Sequence, residues 1–521
     1  MDSVETVAPR MSILSQNTAR RRRLTTEAAI KAFFGSNAVM AIVVLALITI
    51  FLFREGFGFF GQNLANLRLY RRAGLEYVDI IRAQAQTHAA LSRQLGDIRM
   101  QESRTLPSGS SLEAFDQFSA AFSDSGEFLN ALVSDANDQA LALREALIAA
   151  GSPSAVSSAE VEPSSETAAP SGPADPRAAL SALRSADEKF LKIADAMKVK
   201  IDNLLSAPPV LGGPKAKQSF ERWKKKTRDY VAQFPAVSRR LREWNPDEPV
   251  PAYRAVTAFL FGADWVTASF WQDWYGIIPL LVGSIMVAFV ALLFAVPLGV
   301  CSAIYVSEVA ARGEKSLIKP YIEFISAIPS VVLGFFGIAV VGQAVRALSQ
   351  MPFMKWVPFF PISERLNVFT AGSLLALMAV PTIFTLAEDA LQNVPRGFKE
   401  ASYALGANRL QTIVRVLVPA SLSGIISAVL LGLGRVIGET MVVLLCAGNR
   451  IAIPDFTQGL GAFFQPVHTM TGIIAQEMGE VVRGSIHYRA LFMVGLVLFA
   501  LTLGINYLAQ RLVARYRMSI G

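Results

Sequence analysis

The chain has 521 residues, 52% of them hydrophobic and 17% charged, with a mean hydropathy of +0.40. Soluble domains carry about a quarter charged residues, so a wholly soluble protein is excluded and an integral membrane protein with a polar part attached is indicated. The net charge of +8 reads as basic flanks that orient membrane spans, with no nucleic acid among the partners.

Residues 1–31 form a polar tail ending in the run Arg20-Arg21-Arg22-Arg23 ahead of the first apolar stretch. Residues 32–53 are long enough to cross a hydrocarbon core of about 30 Å. No small-x-small cleavage site follows, so a retained first transmembrane helix is expected over 32–55. From 56 to 274 the chain turns amphipathic and charged. Within it, 151–176 is almost all Ser, Ala, Pro, Glu and Gly and reads as a disordered linker. Around that linker, apolar residues recur at helical spacing: Leu91, Leu95 and Ile98; Phe115, Phe118 and Phe122; Leu180, Leu183, Phe190, Ala194, Met197, Ile201 and Leu204, with Asp187 the one break; Phe220, Trp223, Thr227, Tyr230 and Phe234. They predict four amphipathic helices packed as a small bundle outside the membrane.

Five further apolar segments follow, at about 276–306, 321–341, 366–386, 420–446 and 490–509, within a core of 275–521. One set of their ends carries Arg312, Lys315, Lys319, Arg396, Lys399, Arg409, Arg415, Arg511, Arg515 and Arg517. With Arg20–Arg23 they predict both termini in the cytoplasm and the insertion 56–274 on the other side. The fold class is therefore all-α: a polytopic membrane protein of six transmembrane helices with an extracytoplasmic helical insertion. Pro297, Pro329 and Pro381 are expected to kink spans. Cys301 and Cys446 are expected as buried packing residues, and Glu388 and Asp389 as a solvated helix end. There is no Gly-x-x-x-x-Gly-Lys-Ser/Thr loop, no His-Glu-x-x-His and no Cys-x-x-Cys, so ATP hydrolysis, a metal site and a cofactor are not expected on this chain.

The apolar segment 419–446 carries a charged pair in its middle. Arg435 and Glu439 are four residues apart and would stack one turn above each other on a continuous helix. An Arg at the centre of a membrane helix costs about 2.5–3.5 kcal/mol, which points to contact with a charged solute. Its planar fork of donors suits an oxyanion, and Glu439 would hold the guanidinium in place. Gly434 and Gly438 flank the Arg as a Gly-x-x-x-Gly step. That step admits a close helix either from a second subunit or from within the chain.

After the fourth span the chain reads Glu400-Ala401-Ser402-Tyr403-Ala404-Leu405-Gly406, and further on Val416-Leu417-Val418-Pro419. This resembles the EAA loop of ABC-importer permeases, with Ser402 in place of the second alanine. The resemblance implies a cytoplasmic loop, 388–419, that takes up the motion of an ATP-binding subunit through Glu400, Ala401, Gly406 and Pro419. The string Gly434-Arg435-Val436-Ile437-Gly438-Glu439-Thr440-Met441 then resembles the PstC-type permeases of phosphate importers. So do Phe51-Leu52-Phe53-Arg54-Glu55-Gly56, Ile328-Pro329-Ser330 and Val380-Pro381-Thr382. That narrower resemblance implies a type I importer permease fold and a pathway for inorganic phosphate lined by Arg435, Glu439 and Thr440. It also implies as partners a second permease, an ATP-binding subunit dimer, an extracytoplasmic phosphate-binding protein and membrane lipid. Glu439 accepting a protonated phosphate oxygen would disfavour sulfate. The insertion is longer than that family leads one to expect, and its role does not follow from the resemblance.

Overall fold

The computed structural model describes residues 13–103, 112–149, 176–267, 269, 271–354, 356–357 and 359–516. The expected linker lies, up to residue 175, outside them. Among the described residues six helices are long and apolar enough to cross a membrane: Ile30–Arg72, Ile278–Val309, Ser330–Gln350, Val368–Gln392, Arg409–Gly438 and Ile486–Leu512.

The first helix, α1 (Ile13–Arg72), does not end at 55. Its 60 residues reach about 90 Å, and the part beyond the apolar stretch packs on the rest of the core. Phe59 is fully buried between Phe259 and Tyr275, and Gly56 lies where a Cβ would meet Leu496 at 2.4 Å. The chain turns at Gly74 (φ +74°), a conformation only glycine adopts cheaply.

Seven helices follow between 75 and 243 among the described residues, where four were expected: α2 (Leu75–Ser103), α3 (Glu113–Asp124), α4 (Glu127–Ala149), α5 (Pro176–Arg184), α6 (Ala186–Ser206), α7 (Pro214–Ala232) and α8 (Phe234–Glu243). Their stripes meet in one core that contains the apolar residues picked out from the sequence except Leu180, which is half-buried, and Leu204, which packs at its edge. The run from Leu180 to Leu204, read as one helix interrupted in its apolar pattern at Asp187, is divided at Ser185 into α5 and α6. Trp223 stands at the centre, against Phe118, Phe122 and Phe220, and donates to the Leu91 carbonyl at 2.9 Å.

His88 lies in this core, 4% exposed, its ring stacked on Phe122 at 4.6 Å. Burial holds its pKa below the usual 6.5. The unfolded chain therefore binds the proton more readily, and bundle stability should fall as pH drops below about 6.5. In thermal melts followed by tryptophan fluorescence, we expect a slope of at most about 1.4 kcal/mol per pH unit. It should disappear in His88→Gln, and a slope unchanged by that substitution would assign it to other groups.

Helix α9 (Tyr253–Phe261) and a two-stranded antiparallel ribbon, β1 (Trp265–Val266) with β2 (Trp274–Tyr275), lead back to the membrane. The core continues with α10 (Ile278–Ile304), which runs into a π-helical turn at Tyr305–Val309. Next come α11 (Arg312–Ile325), α12 (Ser330–Phe336) and α13 (Gly342–Gln350), the last two joined by a second π turn. The third span thus starts at Ser330, not near 321. Pro329 adopts ψ 138° and closes off the preceding helix, so it opens the span instead of kinking it. α11 is amphipathic and leaves Leu317, Tyr321 and Phe324 exposed. Pro297 and Pro381 do lie inside helices, the latter in α14 (Val368–Gln392). α15 (Arg396–Ala404), α16 (Arg409–Thr412), α17 (Val418–Gly438), α18 (Met441–Cys446), α19 (Met470–Glu477) and α20 (Ile486–Tyr516) complete the chain.

α10, α14 and α17 form the centre of the spanning part. α10 meets α14 where Gly372 faces Val290, and α17 meets α14 where Gly424 faces Ala390 and Gly432 faces Ile383. The two cysteines are free: Cys446 is buried, whereas Cys301 is exposed, contrary to expectation. The fourth span ends differently from expectation as well. Asp389 is exposed, but the Glu388 carboxylate is buried, with Lys319 of α11 at 2.9 Å and Gln392 donating at 2.7 Å.

Candidate functional site

Arg435 occupies the last turn of α17, where a cation suits the carbonyl end of a helix. The helix stops at Gly438. Glu439 is extended (φ −72°, ψ 135°), and a separate short helix, α18, starts at Met441. The stacked pair expected on one continuous helix is therefore not formed. Two glycines in the last turn weaken the helix, and the exit strand is held from outside: Thr471 donates to the Glu439 carbonyl at 2.8 Å. The Glu439 carboxylate turns forward and accepts from the Met441 amide at 3.2 Å. Thr440, half-buried, completes the break, with its hydroxyl 3.4 Å from the Gly438 carbonyl.

Arg435 is exposed and finds its partner across the helix interface, where Nη1 donates to Thr382 Oγ1 of α14 at 3.1 Å. Among the described residues no carboxylate pairs with it. Thr382 was quoted in the sequence only as part of a resembling string. A single hydroxyl in an apolar span carries no periodic signal, and only the residue order Val380-Pro381-Thr382 hinted at it.

The flanking glycines separate the two packing alternatives. A Cβ on Gly434 or Gly438 would meet nothing within 4 Å, so neither packs a helix inside this chain. That task falls to Gly424 and Gly432. Leu431, Arg435 and Gly438 form an exposed stripe of α17 beside that packed face, touched among the described residues by Thr382 at Arg435.

At the other end of α17 lies the loop. In α15, Glu400 and Ala401 are exposed, and Leu405 beyond its end is 89% exposed. Gly406 (φ +82°) ends the helix: its amide donates to the Tyr403 carbonyl at 2.9 Å and the Ala407 amide to that of Ser402 at 3.2 Å, a Schellman closure. Asn408 and Gln411 then cap α16 reciprocally. Ser402, the departure from the alanine pattern, is used here, with its hydroxyl 2.9 Å from that of Thr412 across the turn. Pro419, exposed, stands at the start of α17 just after the π turn Ile413–Leu417. A proline supplies no amide to the turn before it. Arg435 lies about 24 Å further along the axis.

Residues 295–518 match the family described as binding-protein-dependent transport system inner membrane component. The insertion lies outside that match. A Bacillus subtilis protein named probable ABC transporter permease protein YqgH is 37% identical over 242 residues, covering 46% of this chain and 72% of its own length. The phosphate transport system permease protein PstC of Haemophilus influenzae is 31% identical over 277 residues, covering 50% of this chain and 84% of that protein. PstC 1 of Mycobacterium tuberculosis is 30% identical over 253 residues, covering 46% and 73%. Among solved structures, the inward-facing MetNI methionine ABC transporter aligns with a TM-score of 0.33 at 19% identity, over 46% of this chain and 94% of that one. By these sequence relationships the chain belongs to the PstC-like permeases of binding-protein-dependent ABC importers: a multi-pass inner-membrane transport subunit that is not itself an enzyme, with ATP hydrolysed on a separate chain.

Proposed function

We propose that this permease forms, with a second permease, the translocation path for inorganic phosphate. The observation that carries the reading is Arg435, a permanent cation at a broken helix end that among the described residues has no carboxylate partner and is steadied by Thr382. A structural ion pair would have satisfied that charge within the chain. The exposed stripe of α17, with Leu431, Arg435 and Gly438 and the open position at Gly434, is the surface on which we seat the second permease, closing the path around the guanidinium. Phosphate transport named for the PstC relatives supports the choice of anion.

In this reading Glu400, Ala401 and Gly406 meet an ATP-binding subunit dimer in the cytoplasm, and Pro419 passes the motion into α17. Successive spans alternate in direction, so chain order sets the loop 388–419 and the insertion on opposite sides. The insertion and the phosphate-binding protein then share the outer side, and both termini lie in the cytoplasm. The test is ATP-dependent uptake of phosphate by vesicles carrying the assembled transporter, with sulfate and molybdate as competitors. Equal competition by sulfate would make the chain a permease for another oxyanion. Uptake without the ATP-binding subunit would make it a channel or secondary transporter.

The insertion does not have to be present for this path. Arg71 at the end of α1 meets Glu248 beyond the bundle, with Nη1 3.4 Å from the carboxylate and 3.3 Å from the carbonyl oxygen. A short Gly-Ser linker can therefore join 74 to 248; it removes Glu76, the nearer partner of Arg71, and uncovers Tyr70 and Trp274, while Phe59, Phe259 and Tyr275 remain packed. We expect the excised protein to assemble and to keep ATP-driven uptake within about threefold, a change worth less than one decade of free energy. Assembly with uptake lost would show that the bundle takes part in transport.

A further inference from the structure

The coupling loop grips a third helix besides the two it joins, α14 and α17. At the end of α10, the Glu308 carboxylate is 9% exposed and takes the Lys399 ammonium of α15 at 2.7 Å. Ser307 adds a hydroxyl at 3.1 Å to the same oxygen. On the far side of Gly406, the Arg409 guanidinium of α16 donates to the Glu308 carbonyl and, at 3.3 Å, to that of Val309. Lys315 closes the Ser307 carbonyl at 2.8 Å. Three carbonyls that a helix end leaves open are thus satisfied by cations, two of them through the arginine of the loop. Both arms of the loop converge on one residue.

That residue connects onward to the site. α10 carries Gly299, where a Cβ would meet Ile383 Cγ2 at 2.9 Å, and the same Ile383 fills the space over Gly432 of α17. Ile383 is fully buried and follows Thr382, the partner of Arg435. The helix gripped at Glu308 is therefore packed against Ile383, the chain neighbour of the residue that steadies the guanidinium. The turn at Tyr305–Val309 is π-helical, as is Ile413–Leu417 on the other route, a geometry found at functional sites in helices.

We propose that Glu308 is a positioning residue for transport: paired with Lys399, it carries the displacement of the coupling loop into α10 and on through Ile383 to Thr382 and Arg435. The loop joins α14 to α17, so both walls of the site follow it by continuity, and Glu308 would bring α10, packed against both through Ile383 and Gly432, into the same motion. This rests on the reading of the chain as an ATP-driven importer permease.

The experiment is a double-mutant cycle in the complete transporter, reconstituted with its partner subunits, reading phosphate moved per ATP hydrolysed. Glu308→Gln and Lys399→Gln should each retain at least about half of the ATP hydrolysis and lower the phosphate moved per ATP by about tenfold, and the double variant should be no worse than the poorer single. Glu308→Asp, which keeps the charge, should recover much of the ratio. Losses that multiply in the double variant would overturn the proposal. So would an unchanged ratio in the single variants, or hydrolysis and uptake falling together at constant ratio, the result of a merely structural pair. Wild-type uptake that needs no ATP would instead overturn the importer reading, and this proposal with it.

Discussion

Replacing Arg435 by alanine is expected to abolish most phosphate uptake while leaving the protein folded and assembled. Losing a charge-assisted contact to an enclosed anion costs about 2–5 kcal/mol, or about 1.5 to 3.5 decades in uptake below saturation. Stability should move the other way or not at all. The arginine carries an insertion cost of about 2.5–3.5 kcal/mol, and its one partner, Thr382, keeps a hydroxyl that can turn to a backbone carbonyl. No carboxylate is stranded by the substitution, so the usual penalty for breaking a buried ion pair does not apply. Arg435→Lys should fall between, because it keeps the charge but loses the planar fork, and Thr382→Val should lower uptake less than either. Uptake by right-side-out vesicles, with expression level and partner co-purification as controls, checks the series. If Arg435→Ala keeps more than about a third of wild-type uptake, a change well inside one decade, the guanidinium does not meet the anion. Glu439→Gln under the same assay addresses selectivity: an unchanged preference for phosphate over sulfate would remove Glu439 from the choice of anion.

The parts that the sequence discloses and those it hides differ in physical kind. Between 75 and 243 the core residues follow the 3.6-residue period because each helix buries a single stripe, and Phe115, Phe118, Phe122, Trp223 and Tyr230 all lie in that core. The six spans are visible because hydrocarbon demands continuous apolar length. The end of α1 is not visible, since residues 54–72 bury only part of their surface and read like the start of the insertion. The break after Gly438 is hidden for a different reason. Met441–Cys446 stays apolar across it, so hydropathy runs on while the backbone turns. Pairing across distance leaves no local trace either. Lys399 is 91 residues from Glu308, and each looks like an ordinary solvated charge until the chain is folded. Arg435 was conspicuous because it breaks an apolar run, whereas Thr382, which does not, went unmarked.

The second large effect is expected at the coupling loop, where two exposed leucines should decide whether the ATP-binding subunit stays attached. Leu405 is 89% exposed and Leu410 70% exposed. Apolar side chains held out on either side of the turn at Gly406 suit burial in a partner groove. Each buried leucine is worth about 1.5–3 kcal/mol, and an aspartate in the same groove adds the cost of desolvating a charge. The Leu405→Asp/Leu410→Asp variant should therefore lose the ATP-binding subunit on affinity purification, and its uptake should fall to background. The permease alone should lose little, since both side chains are exposed and an aspartate at Leu405, the C-cap of α15, costs about 0.3–1 kcal/mol against the helix dipole. Gly406→Ala acts on the same loop by another route. Space is free around the position, yet φ +82° disfavours any side chain, at a cost of about 1–2 kcal/mol. It should loosen the angle between α15 and α16 and weaken attachment partially, leaving the leucines to bind when the turn is formed. Full attachment of the double aspartate variant would mean that the apolar patch is not the docking surface, and would move the contact to Glu400 and Ala401 on the exposed side of α15.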